Sequence, residues 1–367
     1  MTRSLPRVSR RSFLTASALA ATGTLAPFRG APAQPVSPRL GMDNFSVRAM
    51  GWKAKALVDY AASLALDSLF ITDLDAFESV EEAPLKALRE YAAERRVQLQ
   101  VGTWSICPTS KAFKPKWGTA GEHLALGIRV ARAVGSPVLR VVLGTWEDRT
   151  TDGGIERHIE QMVNVCRAGR SLAADAGVRI AVENHAGDMH STELARLVEE
   201  AGTDYVGVNF DSGNALWTLE DPIACLETLA KYTATTSLRD SAVWVSENGA
   251  RVAWTAMGEG TIDQRAFFTR FRELCPNVPV HIETISGFNR ELPYLQPEFW
   301  KAWPHMTARA LARFEALART GHAVAPWQVA SGADKEKAEQ DYQRGELERS
   351  ILYCRNELQL GRQMKVG

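Results

Sequence analysis

Between residues 39 and 286, short runs rich in Val, Ile and Leu alternate eight times with longer stretches of helical character, and this alternation constrains the fold more than any other feature. The apolar runs lie at 40–45, 68–72, 98–104, 138–143, 179–183, 206–211, 235–238 and 280–283. Helical periodicity is read at 53–64, 81–95, 120–134, 156–176, 192–201, 222–232 and 264–274. Consecutive parallel strands need a long crossover, and a helix is the usual one. Eight such units in about 250 residues match the size of one closed (β/α)8 TIM barrel, an α/β fold. The rival is an open doubly wound sheet, which carries a Gly-rich phosphate turn after its first strand. The stretch L-G-M-D-N-F-S after residue 39 has no such turn.

Beyond the last strand, residues 287–304 are rich in aromatics and proline and read as a loop over the barrel, a lid or one edge of a pocket. After Ser331 the chain becomes strongly charged, with Leu347, Ile351, Cys354 and Leu358 at helical spacing. This extension, 331–367, is expected to pack on the outside of a barrel domain at 34–330, with a contact to a second copy, and so a homo-oligomer, as the alternative.

Arg10 and Arg11 stand in S-R-R-S-F-L, ahead of an apolar stretch at 13–25 and the small-residue pattern Ala31-Pro32-Ala33. This leader resembles a twin-arginine export signal. The resemblance implies that residues 1–33 are removed, that the mature chain is periplasmic or secreted, and that metal loading precedes export. The apolar stretch is broken by Thr and Ser and is shorter than the ~20 residues of a spanning helix, so stable membrane insertion is not expected. Five arginines and no acid leave with the leader, which turns an even balance of 43 basic and 43 acidic residues into an acidic excess. Such a chain is not expected to bind nucleic acid, whose affinity comes from concentrated Lys and Arg. Five cysteines without a C-x-x-C pair read as free thiols.

In a barrel of this type the reacting groups sit at the C-terminal strand ends. Four ends carry charge: V-E-N-H at 182–185, F-D-S-G-N at 210–214, S-L-R-D at 237–240 and H-I-E-T at 281–284. Glu183, Asp211 and Glu283 would repel one another in one mouth without a counter-charge, and a divalent cation that prefers oxygen ligands is an economical one. His185 and Asn214 contact substrate or cap a helix. Arg239 and Asp240 form a rim ion pair or hold substrate hydroxyls. His281 shares the Glu283 face one layer deeper and reads as core. Asp43, Asn44 and Asp73 end the first two strands and line the same mouth. Trp104, Trp146, Trp217 and Trp244 follow strands and suit the C–H face of a sugar, although loop packing explains each singly.

The ordered set V-E-N-H, F-D-S-G-N, S-L-R-D, G-E-G-T-I-D and H-I-E-T resembles the xylose isomerase-like TIM barrels, the sugar-phosphate isomerase/epimerase group. The resemblance spans roughly residues 39–320. It implies a small-molecule carbohydrate as substrate and a divalent metal (Mn²⁺, Mg²⁺ or Co²⁺) held by Glu183, Asp211 and Glu283. It also implies proton transfer by Glu183 and Glu283 through an enediolate, with substrate contacts from His185, Asn214, Arg239, Asp240, Trp104 and Trp146. Ser237 departs from the pattern, because it occupies the position of a metal-binding His or Gln. Three readings follow. The first is a metal-assisted sugar isomerase or epimerase. The second is a lyase or dehydratase that cleaves keto-glycosides in the periplasm, and the third is a non-catalytic sugar-binding barrel. The related endonuclease branch uses many His ligands and is disfavoured by the seven His here and by the absence of a D-x-H before G-E-G.

Overall fold

The computed structural model describes residues 37–362. The leader reading therefore lies outside the described residues. Eight parallel strands run β1 (Leu40–Asp43), β2 (Ser68–Ile71), β3 (Gln98–Ser105), β4 (Val138–Val142), β5 (Arg179–Glu183), β6 (Val206–Phe210), β7 (Thr233–Thr236) and, after an inserted hairpin, β10 (Val280–Ile282). The hairpin comprises β8 (Asp240–Ser246) and β9 (Gly249–Thr255), and β11 (Arg290–Leu292) adds a third, antiparallel strand to it.

The parallel strands are ordered β10-β1-β2-β3-β4-β5-β6-β7. Closure comes just past β7, where Leu238 bridges Ile282: its amide donates to the His281 carbonyl at 2.7 Å, and its carbonyl accepts from the Glu283 amide at 2.9 Å. All eight expected strands are present as a TIM barrel, and each lies within two residues of its expected start.

The crossover helices follow from local chemistry. The helix Ala120–Val134 begins with a reciprocal box between Thr119 and Glu122 and ends where Gly135 turns left-handed at φ 76°. Its Leu124, Ile128 and Ala131 recur at helical spacing and are buried. The single helix expected over 156–176 is two, Gly154–Ala168 and Arg170–Ala176. Gly169 sits at the junction against the neighbouring helix, and a Cβ there would lie 2.6 Å from Leu124.

Inside the barrel, below the strand ends, polar groups are paired. His281 Nε2 meets Ser68 Oγ at 2.9 Å and its Nδ1 meets the Thr236 carbonyl at 3.1 Å, which assigns it to the core as expected. All five cysteines are buried free thiols.

Residues 287–304 are only partly loop, since Arg290–Leu292 completes the small sheet. The hairpin itself escaped the sequence reading, although an Asn-Gly pair is a hairpin signal and Asn248-Gly249 stands where the Glu247-Asn248 tip enters β9. The charged C-terminal stretch forms the helix Lys335–Asn356. Leu347, Ile351, Cys354 and Leu358 are all buried in the main core. Burial of each large apolar side chain contributes about 1.5–3 kcal/mol, so this helix is part of the barrel's stability. Gln343 and Gln340 also bond the backbone of Ala49, in the turn after β1.

Candidate active site

Four strand ends deliver carboxylates to one hollow at the C-terminal mouth. One oxygen from each of Glu183 (end of β5), Asp211 (after β6) and Glu283 (after β10) lies within 4.8 Å of the others, and all three residues are buried. Asp43 at the end of β1 is equally buried. Its Oδ1 accepts from the Phe45 amide (2.9 Å) and Thr72 Oγ1 (2.8 Å), and its Oδ2 accepts from Ser237 Oγ (3.1 Å).

The main counter-charge is one that the sequence reading did not include. Arg140, in the middle of the V-L-R-V-V strand, donates from Nε to Glu183 Oε2 at 2.5 Å and from Nη1 to the Thr103 carbonyl at 3.0 Å. Arg239 reaches in from the other side. Its Nη2 lies 2.6 Å from Asp211 Oδ2 and also pairs with Glu283 Oε2, while its guanidinium stacks 4.6 Å from the Trp254 ring. Arg239 is thus no rim residue: it is 2% exposed and bridges two of the three acids. Gly213 in F-D-S-G-N makes room for it, because a Cβ there would lie 2.4 Å from Arg239 Cγ.

The rest of the shell positions these groups. Asn184 bonds the Asp211 backbone on both sides, its Oδ1 accepting at 2.8 Å and its Nδ2 donating at 2.7 Å. Asp211 Oδ1 accepts the amides of Gly213 and Asn214 at 2.8 and 3.1 Å, which leaves Oδ2 facing the hollow. Asn214 Nδ2 donates to Glu183 Oε1 at 3.3 Å, so this residue reaches the acids and does not act as a helix cap. His185 Nδ1 bonds the Gly144 carbonyl at 2.7 Å. That bond makes Nδ1 the donor and leaves Nε2 an acceptor in the neutral ring, and burial favours the neutral form. Ser237 is turned toward Asp43 and Asn209 and is a partner of the acids rather than a replacement ligand.

Asp240 departs from the expected substrate contact. Its carboxylate accepts the amides of Ser241 (2.7 Å), Gly258 (3.0 Å) and Gly260 (3.1 Å), and thereby tethers the G-E-G turn. Full burial pushes its pKa from 3.8 up to about 6 against those amides. Between these values the folded protein holds a proton that the unfolded chain has lost. Stability therefore falls as pH rises from about 4 to 6, by up to about 3 kcal/mol from this group. Urea denaturation at pH 4.5 and 7.0 should show a steeper decline in the native protein than in Asp240→Asn, whose remaining decline belongs to the other raised acids. Equal pH slopes for the two would remove the assignment.

The acids sit in unlike environments. Burial pushes Glu183 up, but Arg140, with Arg239 behind it, outweighs burial and holds this carboxyl below its ordinary value. Burial dominates at Asp211, raising it to about 7 despite Arg239. Glu283 is raised well above the ordinary range by burial, Arg239 opposing and Asp43, Glu183 and Asp211 adding to the rise. Fully ionised, the four carboxylates exceed the two guanidiniums by two negative charges. Two protons or one divalent cation would neutralise that excess. An all-oxygen triad and the charge excess fit an oxygen-preferring divalent ion.

Above the acids lies a cavity of about 460 Å³ walled by Trp104, Trp117, His123, His185, Asn214 and Trp254, with Arg140, Glu183, Arg239 and Glu283 at its floor. Asp73 joins its wall. Trp104 packs edge-on to His185 at 5.3 Å. Trp146 lies in an adjoining groove with Trp217. Trp244, on β8, lines neither; Trp254, across the hairpin, does. The signal for Arg140 was present in the sequence as a lone charge inside an apolar strand.

A family model described as xylose isomerase-like TIM barrel matches residues 58–317. Over 148 residues the chain is 25% identical to the uncharacterized protein YihM of Escherichia coli (strain K12), a stretch that makes up 40% of this chain and 44% of that protein. The chain therefore spans under half the length of this relative. Among solved structures, a D-psicose 3-epimerase determined with D-fructose superposes at a TM-score of 0.57 with 12% identity, over 86% of this chain and 98% of that one. The IolI protein with a bound zinc atom superposes at 0.51 with 14% identity, over 76% and 96%. At these identities the superpositions speak to the fold. Among the described residues no helix is long and apolar enough to cross a membrane.

Proposed function

This chain belongs to the xylose isomerase-like TIM barrel family, and from that premise we propose that it is a sugar isomerase or epimerase, moving a proton on a carbon beside a carbonyl. The observation that carries the reading is the unequal pair of buried carboxylates, Glu183 and Glu283, facing one cavity from strands set three places apart around the ring. Glu183, paired with Arg140, is the ionised base that takes the carbon-bound proton. Glu283, crowded by acids, is the proton-bearing partner that returns one from its own side. Asn214 and His185 bind and orient hydroxyls, and Trp104 and Trp254 supply flat faces for the ring. A divalent ion would be held by Glu183, Asp211 and Glu283, and when bound it would polarise the carbonyl and stabilise the developing negative charge. The solved D-psicose 3-epimerase, whose structure was determined with D-fructose, supports a ketose-like substrate. Export through the leader would place the reaction outside the cytoplasm.

The bridge from Arg239 to Asp211 and Glu283 favours a second reading, in which the guanidinium supplies the positive charge at the carbonyl and no ion is needed. One experiment tests both. Mature protein is assayed for bound divalent metal, then incubated in D₂O with ketoses and keto-glycosides, with and without EDTA, and followed by NMR. Deuterium should enter the carbon beside the carbonyl. Exchange that survives EDTA selects the guanidinium reading, and exchange restored only by Mn²⁺, Mg²⁺ or Co²⁺ selects the ion. Loss of an aglycone would assign elimination, and absence of any exchange would leave a binding protein.

A further inference from the structure

The cavity over the acids does not end at its own walls. Trp104, Lys114, His185 and Trp254 also line a second cavity of about 590 Å³, which runs outward between Trp146, Trp217, Phe288 and Arg290. Its aromatic side chains are contributed by five separate segments: the end of β3, the turn after β4, the turn after β6, the hairpin strand β9 and the stretch before β11. They form one cluster. Trp217 and Trp254 lie 4.5 Å apart at 33°, and Phe288 stands edge-on to both at 6.2 and 5.4 Å. Arg290 lies 3.8 Å over the Trp146 ring and 5.9 Å from Trp217, and among the described residues its guanidinium makes no ion pair or hydrogen bond.

Core packing accounts for Trp217 and Trp254 but not for Trp146 and Phe288. Trp146 is 44% exposed and Phe288 43%, so two large aromatic faces are open to solvent beside a polar site. An aromatic wall with a free guanidinium matches a flat ring carrying hydroxyls, which stacks its C–H face on indole and offers oxygens at its edge.

We infer that this groove is a second-ring subsite, so that the substrate is a glycoside whose reacting, carbonyl-bearing ring lies on the acids and whose second ring lies among Trp146, Trp217 and Phe288. The inference rests on the sugar-directed reading of the neighbouring cavity and narrows its substrate class from a free monosaccharide to a glycoside. Trp104 and His185 sit at the junction of the two cavities, where the glycosidic linkage would pass. The second ring is a sugar or an aromatic aglycone, since both present the same flat face.

Titration calorimetry on the mature protein with D-glucose, maltose, cellobiose and phenyl β-D-glucopyranoside tests this without requiring turnover. At least one glycoside should bind roughly three- to tenfold more tightly than glucose, the range expected for one aromatic stacking contact. Trp146→Ala and Phe288→Ala should each erase most of that advantage, lowering glycoside affinity by a larger factor than glucose affinity. Loss confined to the phenyl glucoside assigns an aromatic aglycone, and loss for the disaccharides assigns a sugar. Equal affinity for glucose and every glycoside, equal losses for both in the variants, or binding of none of the four would overturn the subsite. Failure of isotope exchange with these differences intact would instead overturn the isomerase reading alone.

Discussion

Glu283→Gln should lower turnover by about 10²–10⁴-fold, the usual worth of a positioned acid or base, while leaving the fold intact. The two effects separate because of where Glu283 lies. Its carboxyl is raised well above its ordinary range by burial, so the folded protein holds it in a form that a neutral amide of the same shape imitates. The Gln carbonyl can still accept from Arg239, so no buried donor is stranded. Melting temperature should therefore stay near that of the native protein or rise slightly, since one of several crowded acids has been removed. Deuterium uptake from D₂O measures the chemistry, and circular dichroism measures the fold. Near-normal exchange in the variant would remove Glu283 from the reaction, and loss of the folded state would show that its charge is needed for structure.

The strands and the triad were legible because both follow from short-range rules. An apolar run of four to six residues between helical stretches specifies a strand, and a carboxylate that ends such a run must be stabilised at the barrel mouth. What the sequence did not disclose was which cation does the stabilising. Arg140 lies 43 residues from Glu183, and Arg239 lies 28 from Asp211 and 44 from Glu283, so these pairings exist only after closure. Alternation along β4 would have turned Arg140 inward, but an inward Arg has a physical rationale only once its acid is placed opposite. Asp240 failed for the converse reason. Its acid read as a substrate contact or a rim ion pair at a strand end, yet the chain leaves the barrel there for a hairpin, and three backbone amides of that excursion claim it. The second aromatic groove was unreadable because Trp254 belongs to the inserted sheet and Phe288 to the stretch that leads into it, both outside the eightfold pattern.

Arg239→Gln should produce the largest loss of stability of any single change at this site. It removes the guanidinium that meets both Asp211 and Glu283 in a 2% exposed position and leaves Arg140 as the sole arginine among four carboxylates. Breaking one side of a buried ion pair costs about 3–5 kcal/mol, because the remaining charges stay desolvated. Protonation softens that cost, so the loss should be greater at pH 8 than at pH 6, below the Asp211 value of about 7. The same change also frees carboxylate oxygens that a divalent ion would need. In EDTA the variant should unfold at markedly lower urea concentration than the native protein, and saturating Mn²⁺ should recover a larger share of stability in the variant than it adds to the native protein. Equal Mn²⁺ shifts in both proteins would mean that the guanidinium and the ion do not share ligands, and an unchanged urea midpoint in EDTA would contradict the charge accounting itself. Activity then decides between electrophiles. If Mn²⁺ restores both stability and isotope exchange, the ion acts at the carbonyl and Arg239 is a stand-in that holds the acids together until it arrives; if stability returns and exchange does not, Arg239 is itself the catalytic cation.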